Sequence, residues 1–358
     1  MIRGRLELLR SLMSIRKLEA ALFSNPVNIA YLSGFTGSSG CLLITAEKSC
    51  LFTDFRYLLQ AQNEAKRFTV VDGGQSLWHK VAESLASSGI NALTVEADHL
   101  TVDSYHRMTA SLPGVTVSAI PSLAAELRRI KSVEEQEALE AAALLTDRAF
   151  DHILPYLRPG VRERDVALEL EFFLRRQGAA AVSFQFIIAS GHRSALPHGV
   201  AGDKLLSYGD AVVLDFGCIL NGYCSDMTRT VFVGSFSERQ QQVYNTVLAA
   251  QERALAQIRA GITCGEADAL ARDVLAEHGL ADYFGHSLGH GLGREVHEAP
   301  KVSAAANELL AAGMVISVEP GVYIGGEFGV RLEDVVVVQE KGVRNLTQSN
   351  KGLQVVGA

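Results

Sequence analysis

Much that would announce a secreted, membrane-bound or nucleic-acid-binding chain is missing here. The 358 residues contain five cysteines (Cys41, Cys50, Cys218, Cys224, Cys264), an odd number without a CxxC pair. That usage predicts reduced, buried thiols in a cytoplasmic protein and argues against a disulfide framework. No stretch approaches the roughly 18 uncharged apolar residues of a membrane span. The formal charge is −7 and there is no basic tract, a poor match to nucleic acid. The opening MIRGRLELLR is basic but has no apolar run after it, so no export signal is expected. What remains is an ordinary globular composition, 48% hydrophobic and 20% charged. It can fill a core, and the length predicts about two domains.

The first third reads as alternating helix and strand. Apolar residues at helical spacing fill residues 3 to 20. A short strand in ALFSNPVNIAYLSGF is followed by a turn at Asn25-Pro26. CLLIT and KSCLFTDF read as adjacent strands, and YLLQAQNEAKR as a helix. GFTGSSG lacks the GK[ST] ending of a phosphate loop and precedes a strand, so it reads as a tight turn. Asp54, Arg56 and Tyr57 are read as structural or interface residues. Near residue 125, Pro121-Ser122 marks a break, after which Ser132 and Glu135 form a capping-box pattern opening a long helix. Domains are expected at 1–125 and 126–358.

The second domain contains an internal repeat. LRPGVRERDVALELEFFLRRQGA (157–179) aligns with IRAGITCGEADALARDVLAEHGL (258–280), and LLSYGDAVVLDFG (205–217) with LLAAGMVISVEPG (309–321). In that register Asp215 matches Glu319, while GYCSDM against GVRLED matches Asp226 to Glu333. Each copy is a helix–helix–strand–strand unit carrying two acids at equivalent places.

The acids of the first copy lie on two segments that read as strands joined through Asn221-Gly222. A short loop over 219–222 is expected to set Asp215 directly across from Asp226. A single acid there would be a solvated hairpin residue, but four gathered by pseudo-symmetry repel unless positive charge compensates them. Two divalent cations would supply it, and an oxygen-rich set favours manganese, cobalt or zinc. Cys224 shares strand parity with Asp226 but reads as a small buried hydrophobe. Nitrogen donors are at hand in FGHSLGHGLGREVHEAP, with His286, His290 and His297. No Glu follows His286, so this is not the HExxH helix. His198, ahead of the first pair of acids, is the counterpart of His297 ahead of the second.

At these residues the chain resembles the pita-bread metallopeptidases: methionine aminopeptidase, aminopeptidase P and prolidase. LDFG, GYCSDMTRT, HSLGHGLGREVHE, ISVEPGVY and GVRLED are similar to strings of the Xaa-Pro branch, and YLSGFTGSSG and LFTDFRY to its N-terminal domain. Methionine aminopeptidases lack that domain and creatinases lose the metal ligands. The resemblance implies an α/β N-terminal domain before an α+β pita-bread catalytic domain with an internal pseudo-two-fold repeat. It implies five metal ligands: Asp215 on one ion, His290 and Glu319 on the other, Asp226 and Glu333 bridging. Manganese is the first choice of metal, with cobalt or zinc as alternatives. His198, His297 and Glu319 take catalytic roles, Glu319 as proton shuttle. His286 and Arg331 would lie beside the substrate, and Thr228 would bond a bridging water. Many prolidases carry an arginine after HEAP to grip a dipeptide carboxylate, and here Lys301 stands instead. The activity implied is hydrolysis of the Xaa-Pro bond of dipeptides or short peptides by a homodimer. The rivals are a broader metalloaminopeptidase and a non-catalytic binding homologue.

Overall fold

A computed structural model describes residues 2–74 and 76–357. The chain divides into two compact units, 1–128 and 129–358, so the expected boundary at 125 falls inside the short helix Leu123–Arg128. No helix among the described residues is long and apolar enough to cross a membrane.

The first unit is a six-stranded mixed sheet in the order Thr69–Asp72, Ser49–Thr53, Cys41–Thr45, Ala20–Phe23, Ala92–Glu96, Thr116–Ile120. CLLIT and SCLFT pair antiparallel, as their apolar runs and short polar connection predict. Asn25-Pro26 is not a free turn, however. Asn25 caps the helix Pro26–Ser33, its side chain accepting from the Val27 amide, and Pro26 occupies the first helical position. Proline has no N–H to lose there and its φ is already helical, so a turn signal and a helix start look alike in sequence.

The second unit carries the repeat into three dimensions. The capping box at Ser132 opens the helix Val133–Ile153, and others at Ser237 and Thr263 open Glu238–Gln257 and Cys264–Glu277. Helix Glu163–Arg176 is the counterpart of Cys264–Glu277, each 14 residues long. Gly160 and Gly261 both take φ of +87° and donate to equivalent carbonyls, Leu206 and Leu310. That left-handed backbone is open to glycine at little cost, which is why the two copies share it. The helices of each copy pack on their own sheet. In the first, Leu145, Phe150, Leu170 and Leu174 cover Val212, Leu214 and Val231. In the second, Val247, Ala250, Ala267 and Ala271 cover Ile316, Val318 and Val336. Each fully buried Val, Leu, Ile or Phe side chain among these contributes about 1.5–3 kcal/mol of transfer free energy.

Candidate metal centre

Each copy ends in a hairpin that bears acids. In the first, strand Ala211–Phe216 pairs with Met227–Val233, and the ladder continues through Ile219 opposite Cys224 and Leu220 opposite Tyr223. The two-residue loop is Asn221-Gly222, both with positive φ, as a type I′ turn requires. This corrects the expected register. Asp215 lies opposite Thr228, not Asp226, so the two aspartates are diagonal neighbours. The loop that looked symmetric about 220/221 is centred one residue later, because the tight turn needs Asn-Gly at its tip. Gly217 lies where the hairpin passes from one sheet to the next, and a Cβ there would stand 2.0 Å from the Ser225 carbonyl oxygen.

The two hairpins are laced together. Glu333 donates its amide to the Thr228 carbonyl (3.0 Å), and Thr228 Oγ1 donates to Glu333 Oε2 at 2.7 Å. Thr228 also accepts from Arg331 Nε at 3.0 Å. Its hydroxyl therefore serves both Glu333 and Arg331. Arg229, fully buried, donates to the Glu333 carbonyl and pairs with Asp334 at 2.8 Å.

All five expected ligands line one cavity of about 570 Å³, together with His198, His286, His297, Lys301 and Arg331. Asp226, His290 and Glu333 each offer a donor atom, all within 4.8 Å of one another. His290 Nε2 is 3.4 Å from Glu319 Oε1 and 3.6 Å from Asp226 Oδ2. Its Nδ1 lies 3.0 Å from the Gly291 carbonyl. A proton on Nδ1 bonds that oxygen and leaves Nε2 a bare lone pair aimed at the acids.

Electrostatics favour a cation here. Burial raises the carboxyl of Asp215 against the pull of Arg331. Burial, then the charges of Glu333, Asp215 and Glu319, push Asp226 far up. Burial, followed by Glu319 and Asp215, does the same to Glu333, and burial carries Glu319 to about 7. Asp215 Oδ1 and Glu333 Oε1 are buried without a hydrogen-bond partner. Buried carboxylate oxygens left bare and crowded with like charge fit divalent cations, which reverse both penalties.

The surrounding side chains are arranged more tightly than the sequence suggested. Arg331 is buried and engaged by Asp215, the Pro197 carbonyl and Tyr323. Burial opposes its charge, but Tyr323, Asp215 and Glu319 hold it protonated. Tyr323 in turn bonds His286 Nε2 at 2.9 Å, and His286 Nδ1 donates to the Ser287 carbonyl. Burial lowers His286 to about 4, so it stays neutral. His198 and His297 are exposed at the cavity wall, the latter edge-on to His290 with centroids 4.4 Å apart. Lys301 is exposed, paired in the ladder with His290. Cys224 is buried, donates to the Arg294 carbonyl, and its thiol is pushed up to about 12, as expected of a packed thiol. Residue-by-residue reading missed Tyr323 and Glu298, although both lie within the strings ISVEPGVY and HSLGHGLGREVHE.

Comparison with known proteins agrees with this arrangement. Residues 137–340 match metallopeptidase family M24, and residues 5–130 match the creatinase/prolidase N-terminal domain. A Xaa-Pro dipeptidase of Pyrococcus furiosus is 36% identical over 98% of this chain and all of its own length. The structure of a Xaa-Pro dipeptidase from Bacillus anthracis superposes with a TM-score of 0.97 at 43% identity, covering 99% of this chain and 100% of that one. An X-Pro aminopeptidase from Thermotoga maritima gives 0.90 at 37% identity, over 94% and 97%. The fold is thus an N-terminal α/β domain followed in sequence by the pita-bread catalytic domain, and the chain belongs to metallopeptidase family M24.

Proposed function

We propose that the protein hydrolyses the Xaa-Pro bond at the amino end of dipeptides or short peptides, using two divalent cations. The observation that carries this reading is the convergence of Asp226, His290 and Glu333 beside the bare buried oxygens of Asp215 and Glu333. Relatives named for Xaa-Pro cleavage over nearly the full length supply the substrate class. Asp226 and Glu333 would be shared by both ions, Asp215 would hold one, and His290 with Glu319 the other. Bound cations supply Lewis acidity, polarising the scissile carbonyl and lowering the pKa of an attacking water. Glu319 carries the proton from that water towards the departing proline nitrogen. His297 and His198 present ring N–H groups to the carbonyl as it gains charge. His286, kept neutral by burial, lies with Tyr323 and Arg331 along one wall of the cavity.

Lys301 bears on length. Its ammonium retains the charge that grips a free carboxylate but lacks the two-pronged geometry of arginine. The buried thiols among the described residues suit a reducing cytoplasm, the oxygen-rich ligands suit manganese, and the family resemblance supports a homodimer. The test is hydrolysis of Ala-Pro, Ala-Pro-Ala and Ala-Ala-Ala by metal-reconstituted protein. Cleavage of Ala-Pro alone makes it a dipeptidase, and cleavage of the tripeptide with little on the dipeptide makes it an aminopeptidase. Cleavage of Ala-Ala-Ala at equal rate contradicts the proline assignment and favours the broader aminopeptidase.

A further inference from the structure

We infer that Lys131 is a positioning residue for His297, acting through the carboxylate of Glu298; the inference rests on His297 facing substrate as proposed above. Glu298 borders the cavity, yet its side chain is only 6% exposed. Its Oε1 accepts from the backbone amides of Arg294 (2.8 Å) and Glu295 (3.1 Å). Those amides belong to the loop joining strands Gly289–Gly291 and Glu298–Val302, so the loop is folded around this one carboxylate. Packing is close enough that a Cβ on Gly293 would stand 2.8 Å from Glu298 Oε2. His297 is the last residue of the loop, so its ring is aimed by whatever holds Glu298.

The Lys131 ammonium reaches Glu298 Oε2 at 3.3 Å, from a side chain only 2% exposed. It comes from a rigid point. The Lys131 amide donates to Gly313 and its carbonyl accepts from Gln136, one residue before the capping box of the helix Val133–Ile153. Lys131 itself does not line the cavity. A buried ammonium and a buried carboxylate offset one another's desolvation, and removing Lys131 takes a counter-charge away from Glu298. Without Lys131, Glu298 takes up a proton, weakening its bonds to the two loop amides, or turns towards the cavity and breaks them. Either change releases the loop that aims His297.

The test compares Lys131→Met, Lys131→Arg and the double variant Lys131→Met/Glu298→Gln in the intact chain. Glutamine keeps an oxygen for the loop amides and needs no counter-charge. Expected for Lys131→Met, after metal reconstitution, is a fall in kcat on Ala-Pro of about tenfold or more with KM within about twofold. Lys131→Arg and the double variant should each recover most of it. In metal-free protein labelled at histidine Cε1, the His297 resonance (identified by its loss in His297→Asn) should shift or broaden in Lys131→Met and return in the other two. Wild-type kcat with an unmoved His297 resonance overturns the inference, as does a loss that neither companion variant rescues. Should Lys131→Met fail to fold, the double variant decides, a native His297 position supporting the coupling and a displaced one refuting it. If the resonance behaves as expected but the wild type cleaves neither Ala-Pro nor Ala-Pro-Ala, the substrate reading falls and the Lys131 coupling stands.

Discussion

Glu319 and Glu333 take facing register positions between the two ladders of the second hairpin, their amides going to the Leu288 and Thr228 carbonyls. The ladder pairs Val318 with Asp334 on one side of them and Gly321 with Arg331 on the other. The first hairpin differs, since Asp215 faces Thr228 and Asp226 is offset by two residues. Facing side chains have Cβ atoms about 5 Å apart, and two carboxylates there need a proton or a cation between them. If Glu333 is shared by both ions, Glu333→Gln should abolish binding of both, whereas Asp215→Asn should lose one. Metal counted per chain after equilibrium dialysis checks this, and equal losses in the two variants contradict the assignment.

Arg331 and Asp215 make a second test. The guanidinium is the only cation paired directly with the Asp215 carboxylate among the described residues, and both are buried. Arg331→Met should destabilise the metal-free protein by about 3–5 kcal/mol, because it strands a buried carboxylate. Added Mn²⁺ should restore part of that stability. Urea unfolding with and without metal measures both quantities, and a loss below about 1 kcal/mol contradicts the pairing argument.

His286 predicts a pH dependence of known sign. Its folded pKa, about 4, lies below the ordinary value of 6.5 because of burial. Below pH 6.5 the unfolded chain therefore binds a proton that the folded chain refuses, and stability falls with pH until about 4 and then levels off. Relative to His286→Gln, the wild type should lose up to about 3 kcal/mol between pH 7 and pH 4. A pH-independent difference between the two proteins contradicts the buried, neutral assignment.

Lys301 should act on substrate length. Lys301→Ala removes the charge available to a dipeptide carboxylate and should raise KM for Ala-Pro about tenfold, with a smaller effect on Ala-Pro-Ala. Lys301→Arg should lower KM for Ala-Pro. Equal effects on both substrates would place the side chain outside carboxylate recognition.

Much of the fold was legible because it is written in local chemistry. The Ser132 capping box, the Asn221-Gly222 turn and the matched glycines of the two copies each act through one or two residues and a backbone conformation. The convergence of four acids followed from the repeat, and the four histidines beside them (His198, His286, His290 and His297) were visible ahead of those acids. Register was less legible, since a strand pattern has period two and a loop shifted by one residue offsets facing positions by two. Asn25-Pro26 misled because helix starts and turns use the same residues. The bonds of Thr228 to Glu333, of Tyr323 to Arg331 and of Lys131 to Glu298 span 105, 8 and 167 positions, and depend on distances that composition does not encode.

The central claim is a two-cation site, and the most direct test is calorimetric titration of Mn²⁺ into metal-stripped protein. The account predicts saturation at two equivalents per chain, together with recovery of Ala-Pro hydrolysis. Saturation at one equivalent, or no uptake at all, would contradict it.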